Sequence, residues 1–170
     1  MNFVKTILRL FVRIFFMKAE SVLNEMENLF LALADKTRLR LLNLMREDEV
    51  CVCFFTEVLG ESQPKVSRHL SYLRNAGIVS ARRDGKWIHY RIEESKSFFA
   101  AQVLRDTLQW LAAQTEMQND YEKLAIACCA PNAPVTIMRA PKPNVFAEAN
   151  MNEKQSNEKI EKRELETFLL

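Results

Sequence analysis

Four cysteines stand in two close pairs, Cys51 and Cys53 within the stretch CVC and the adjacent Cys128 and Cys129. Thiolate sulfur is a soft donor, so such pairs suit thiophilic ions such as As(III), Sb(III), Cd(II) and Pb(II) better than cations that prefer oxygen. Thiols can also be oxidised, which makes a redox or persulfide switch the rival chemistry. Neighbours at these spacings rarely bridge to each other and no convincing secretion signal precedes them. Reduced thiols in a cytoplasmic protein are therefore expected, not a disulfide scaffold. A plainer reading makes Cys51 and Cys53 small apolar residues beside a core, where cysteine is often found. His69 and His89 are the only histidines. With no cluster of His and carboxylates, a zinc site of the His/Asp type is not expected, and His69 suits the flank of a core or a phosphate contact.

The second chemically loaded stretch follows directly. From Ser62 to Arg91 seven basic residues (Lys65, Arg68, Arg74, Arg82, Arg83, Lys86 and Arg91) face one acid, Asp84, a net +6. The whole chain is only +2, which leaves the remainder at −4. A cationic block on a slightly acidic body is what neutralising DNA phosphates requires. A solvated basic patch would carry the same charge, but these residues also fall into a helix-turn-helix pattern. No C-x-x-C, phosphate-cradling Gly loop or nucleophile beside a base is present, which argues against an enzyme such as a thiol reductase.

The elements that must position these groups are mostly helical. The chain has 170 residues, 48% hydrophobic, and only three glycines, each where a turn is expected. One helix is predicted over Ser21 to Leu33, with Val22, Met26, Leu29, Phe30 and Leu33 on one stripe. Asp35 caps a second from Lys36 to about Met45. A short helix runs from about Val52 to Leu59 and stops at Gly60. Ser62 then caps a helix from Gln63 to about Asn75, ended by Gly77. Val66, Leu70 and Leu73 seat that helix on the core, opposite Arg68, Ser71, Tyr72 and Asn75. Strands Ile78 to Arg83 and Lys86 to Ile92, joined by Asp84-Gly85, complete a winged helix-turn-helix. A long helix from Ser97 to about Glu116, with a continuation to Ile126 open to it, carries more apolar surface than one small domain can cover. Phe98, Ala101, Leu104, Leu108, Leu111, Val103 and Trp110 lie on it, and a homodimer is expected.

The flanks read differently. The segment MNFVKTILRLFVRIFF is apolar, with Lys5, Arg9 and Arg13 on one helical face. Those charges interrupt any membrane span, so no membrane partner is expected. It is either a surface amphipathic helix or, the preferred reading, upstream of a start at Met17. Four domains follow: an apolar and basic extension over 1–20, a winged helix-turn-helix DNA-binding and dimerisation domain over 21–116, a helical extension with the second cysteine pair over 117–130, and a largely disordered charged tail over 131–170.

The segments ALADKTRLRLLNL (32–44), CVC (51–53), SQPKVSRHLSYLRNAGIV (62–79) and RRDGKWIHYRI (82–92) resemble the ArsR/SmtB family of metalloregulators, most of all its arsenite-responsive repressors. The resemblance covers roughly residues 21–111. It implies a homodimeric repressor that leaves double-stranded operator DNA when As(III) or Sb(III) binds cysteine thiolates. It carries base contacts onto Gln63, Lys65, Ser67 and Arg68, and a minor-groove approach onto Arg82, Arg83 and Lys86. Gln and Arg can make bidentate base-edge bonds, while Lys and Ser suit phosphates.

Two positions depart from the family. Lys36 replaces a usual proline, which alters only a helix start. Thr56 stands where arsenite repressors commonly have a third cysteine, so the donor set Cys51 and Cys53 is incomplete within the motif. Cys128 and Cys129 are the remaining thiols, able to complete it, to bind independently or to take no part. A helix N-terminus favours thiolate at the CVC motif. On a regular helix, residues two apart point to nearly opposite sides, so joint binding by Cys51 and Cys53 is expected to distort the first turn. That distortion would reach the recognition helix, which the short helix supports.

Overall fold

The computed structural model describes residues 22–129 and 137–146. The expectations for residues 1–20, and for the tail beyond 137–146, fall outside them. The architecture is mainly helical with one small antiparallel sheet, as expected. Helix α1 is described over 22–33. There follow α2 (Lys36–Leu44), a two-residue strand β1 (Val50–Cys51), α3 (Val52–Leu59), α4 (Gln63–Asn75), β2 (Val79–Asp84), β3 (Trp87–Ile92), α5 (Phe98–Ala112) and α6 (Thr115–Cys129). The sheet order is β1-β3-β2.

Local chemistry explains most boundaries. Asp35 is extended and accepts the Arg38 amide at 2.9 Å, satisfying one orphan donor of α2. Gly60 stops α3 at φ 63°, a left-handed conformation that a Cβ would disfavour. Ser62 stands at the cap position of α4, but its hydroxyl makes no capping bond, contrary to expectation. Pro64 in the first turn supplies a preset φ where a missing N–H costs nothing. Val66, Leu70 and Leu73 are fully buried and seat α4 against Leu41, Leu42, Phe54 and Phe55. Burial of each such side chain contributes roughly 1.5–3 kcal/mol.

Four differences from the sequence reading have physical causes. The wing's loop is Gly85-Lys86, not Asp84-Gly85, because Asp84 pairs with Trp87. Gly85, at φ 56°, takes the first loop position, where a positive φ is needed. The expected long helix is two, α5 and α6, parted at Ala113 and Gln114. The break lets α6 fold back on α2 and α3 and bury Met117, Leu124 and Cys128. Phe98 and Trp110 on α5, and Val22 and Phe30 on α1, stay exposed within the protomer. Strand β1 was not expected, since two residues carry no readable period. Residues 137–146, placed by the sequence in a disordered tail, instead bury Ile137 and Ala140 on the core. Asp48 accepts the amides of Asn144 and Val145 there.

Candidate nucleic-acid interface and thiol pair

Helices α3 and α4 form the helix-turn-helix. On α4 Gln63, Lys65 and Arg68 are exposed and Ser67 is half-buried, so all four expected base and phosphate contacts lie on or beside one accessible face. Lys65 pairs with Glu61 at 2.5 Å. Arg68 makes no hydrogen bond or ion pair among the described residues. The opposite flank is braced from α1 and α2. The Arg38 guanidinium lies 4.3 Å from the centre of the Tyr72 ring and donates to the carbonyls of Ala32 and Leu31 at 2.7 and 2.8 Å. His69 sits 3.4 Å from Asp35, on the flank of the core, one of its two expected places.

The wing presents its cations on both faces, because adjacent strand residues alternate. Arg83 donates to the Gly85 carbonyl at 3.0 Å, and Lys86 lies 4.8 Å over the Trp87 ring. Arg82 is engaged by Glu49, through Nε at 3.2 Å and Nη2 at 2.5 Å. Each holds the other charged: the guanidinium keeps the Glu49 carboxyl below its ordinary range, and Glu49 raises Arg82.

The Cys51 and Cys53 sulfurs lie 3.0 Å apart. The expected opposition of the two side chains is absent, because Cys51 is not a helical residue. It ends β1 and caps α3 with extended backbone, φ −68° and ψ 141°, and only Cys53 belongs to the first turn. No distortion is needed to bring the sulfurs together. The Cys53 thiol donates to Cys51 and, with the amides of Cys53, Ile88 and Val52, draws its pKa down to about 7 against the penalty of burial. Cys53 is correspondingly pushed up as the donor of that bond. Thr56, at the family's third-cysteine position, donates its hydroxyl to the Cys53 carbonyl at 2.8 Å.

Cys128 and Cys129 are not brought to this pair. Cys128 is enclosed in the core and burial pushes it up to about 12, while Cys129 is exposed. Among the described residues no three His, Cys, Asp or Glu side chains gather where they could hold an ion. Sequence reasoning missed two neighbours of the thiols. Glu49 precedes β1, and His89 lies directly across from Cys51, only 3% exposed, its Nε2 without a hydrogen-bond partner among the described residues. Neither was visible without β1, whose pairing alone places them.

Residues 35–81 match the family model described as "Bacterial regulatory protein, arsR family". The arsenical resistance operon repressor of Escherichia coli (strain K12) is 40% identical over 103 residues, covering 60% of this chain and 86% of that protein. The chain belongs to the ArsR family. The arsenic resistance transcriptional regulator ArsR1 of Pseudomonas putida is 41% identical over 107 residues, 62% of this chain and 82% of its own. Among solved structures, the transcriptional repressor BigR from Xylella fastidiosa aligns at 35% identity over 58% of this chain and 95% of its own, with a TM-score of 0.49. As a member of the ArsR family the chain is a DNA-binding transcriptional repressor with a winged helix-turn-helix, not an enzyme.

Proposed function

We propose that this ArsR-family chain is a cytoplasmic, metalloid-responsive repressor. A homodimer binds operator DNA through Gln63, Lys65, Ser67 and Arg68 of α4 and through Arg82, Arg83 and Lys86 of the wing, and As(III) or Sb(III) at Cys51 and Cys53 relieves repression. The observation that carries the reading is the 3.0 Å approach of two thiols at the entrance of the helix that supports α4. Two metal–sulfur bonds of about 2.3 Å at a tetrahedral angle span roughly 3.7 Å, so the pair needs to open only slightly to chelate. Cys51, drawn toward thiolate near neutral pH, supplies the first donor without a large proton cost. The relatives named for arsenic resistance support the same ion class. Dimerisation is supported by Val22, Leu23 and Phe30 on α1 and Phe98, Phe99 and Trp110 on α5, all exposed in the protomer.

The test is operator binding by the reduced protein titrated with arsenite, antimonite, cadmium, lead and zinc. Cys51→Ser and Cys53→Ser should each keep DNA binding and lose release by arsenite, because an alcohol is a poor soft-metal ligand. The Cys128→Ser/Cys129→Ser double variant should weaken the response at most. If Cys51→Ser still releases normally while that double variant does not, the sensor is the C-terminal pair. The same short sulfur separation favours one second reading, oxidation of Cys51 and Cys53 to a disulfide with loss of two electrons and two protons. Release by peroxide without any response to metalloid selects it.

A further inference from the structure

Glu49 is used by neither the base-reading face nor the thiol pair, yet it grips a cation of the proposed DNA surface. Its two oxygens accept from Nε and Nη2 of Arg82 at 3.2 and 2.5 Å, the fork-on-carboxylate arrangement that Arg also makes with phosphate. The remaining nitrogen, Nη1, reaches Asp84 at 3.4 Å. Arg82 is half exposed, with 53% of its side chain accessible, so this is a surface pair open to competition and not a buried structural one. The carboxylate is placed by an unusual neighbour: Glu49 leads into β1, whose Val50 and Cys51 pair with Tyr90 and His89 of the wing strand β3. Arg82 is itself directly opposite His89 on β2. One row across the sheet thus carries Cys51, His89 and Arg82, and Glu49 stands two residues before Cys51.

We infer that Glu49 acts as an internal rival of the DNA phosphate for Arg82, a lock that lowers the wing's affinity for DNA and that is positioned by the strand bearing Cys51. The inference rests on the proposed role of the wing in DNA binding. An Arg fork cannot hold a carboxylate and a phosphate along the same Nε–Nη2 edge, so DNA engagement through that edge requires the Glu49 bond to open. Removing the carboxylate charge while keeping the side chain's shape removes that opposing step.

The test is a double-mutant cycle on the full, reduced, metal-free chain, with binding to a random-sequence duplex and to an operator duplex enriched by selection followed over a range of salt. Glu49→Gln should tighten binding by roughly threefold or more, the scale expected when an exposed ion pair no longer has to open. In an Arg82→Ala background the same change should do nothing. Glu57→Gln removes an equal charge at an exposed position of α3 that is no partner of Arg82, and the gain from Glu49→Gln should exceed its gain. A gain that persists with Arg82→Ala, or that Glu57→Gln matches, reveals bulk charge and overturns the lock. Weaker binding by Glu49→Gln also overturns it and makes Glu49 a residue that orients Arg82 toward DNA. If Arg82→Ala itself binds DNA like the unmodified chain, the wing reading has failed and the lock with it. If Arg82→Ala weakens binding but Glu49→Gln changes nothing, only the lock has failed.

Discussion

The Arg68 guanidinium, exposed on α4 and without a partner among the described residues, differs from Arg82 in having no carboxylate there to release before it meets DNA. Arg68→Ala should reduce operator affinity by about 1–3 kcal/mol and relax selectivity at one base position, measured by binding to operator variants. Arg82→Ala should weaken binding to many sequences alike and flatten its salt dependence. The thiols make a second residue-level prediction. Cys51 has a pKa lowered to about 7 from an ordinary thiol value near 9, so its thiolate forms as pH rises through about 7, ahead of Cys128, held up near 12. Ultraviolet titration of the reduced, metal-free chain should show a first thiolate step near neutrality that Cys51→Ser removes; an unchanged first step would refute the assignment. Exposure ranks the thiols differently, so alkylation at neutral pH should mark Cys129 before the enclosed Cys51 and Cys128.

Among the elements, α2, α3 and α4 were legible from different marks: the Asp35 cap opens α2, Gly60 ends α3, and the apolar stripe of Val66, Leu70 and Leu73 runs through α4. The sequence could not show that α5 ends at Ala112, since no Gly or Pro marks the break. What turns the chain there is tertiary. Asp120, 2% exposed at its side chain, accepts Arg40 Nε and Nη2 at 2.6 and 2.8 Å, and Asn43 donates to the Met117 carbonyl at 2.8 Å. Partners 80 residues apart leave no local pattern to read. Asp120→Ala should therefore destabilise the fold, toward the lower end of the roughly 3–5 kcal/mol that breaking a buried pair costs, because 21% of the Arg40 side chain still meets water. A shift of the urea midpoint reports it, and a loss below about 0.5 kcal/mol, typical of neutral surface changes, would show that α6 is not held by this pair. The hairpin was legible to within one residue. Strand β1 was not, and with it went Glu49 and His89.

At the scale of the whole molecule, the apolar excess expected on one long helix is divided. Leu104 and Leu111 are buried inside the protomer, while Phe98, Phe99 and Trp110 are exposed on α5. The exposed set is the better probe of assembly, since Leu108 packs partly on the core and its substitution would confound folding with association. Trp110→Glu with Phe98→Glu should sediment as a folded monomer at micromolar concentration and lose tight binding to a two-fold operator. Tight operator binding by that monomer would contradict a dimeric reader.

Strand β1 also restricts how this repressor can be rebuilt. Because Cys51 is at once the last residue of a wing strand and the cap of a reading-domain helix, the thiol loop is not a detachable module. A chimaera that grafts CVCFFT alone onto another ArsR-family scaffold would import the sulfurs without the strand partners that align them. A graft running from Glu49 through Thr56 together with the matching stretch of β3 would carry the register intact. Inducer specificity and wing architecture should therefore be inherited as one block when such chains are recombined.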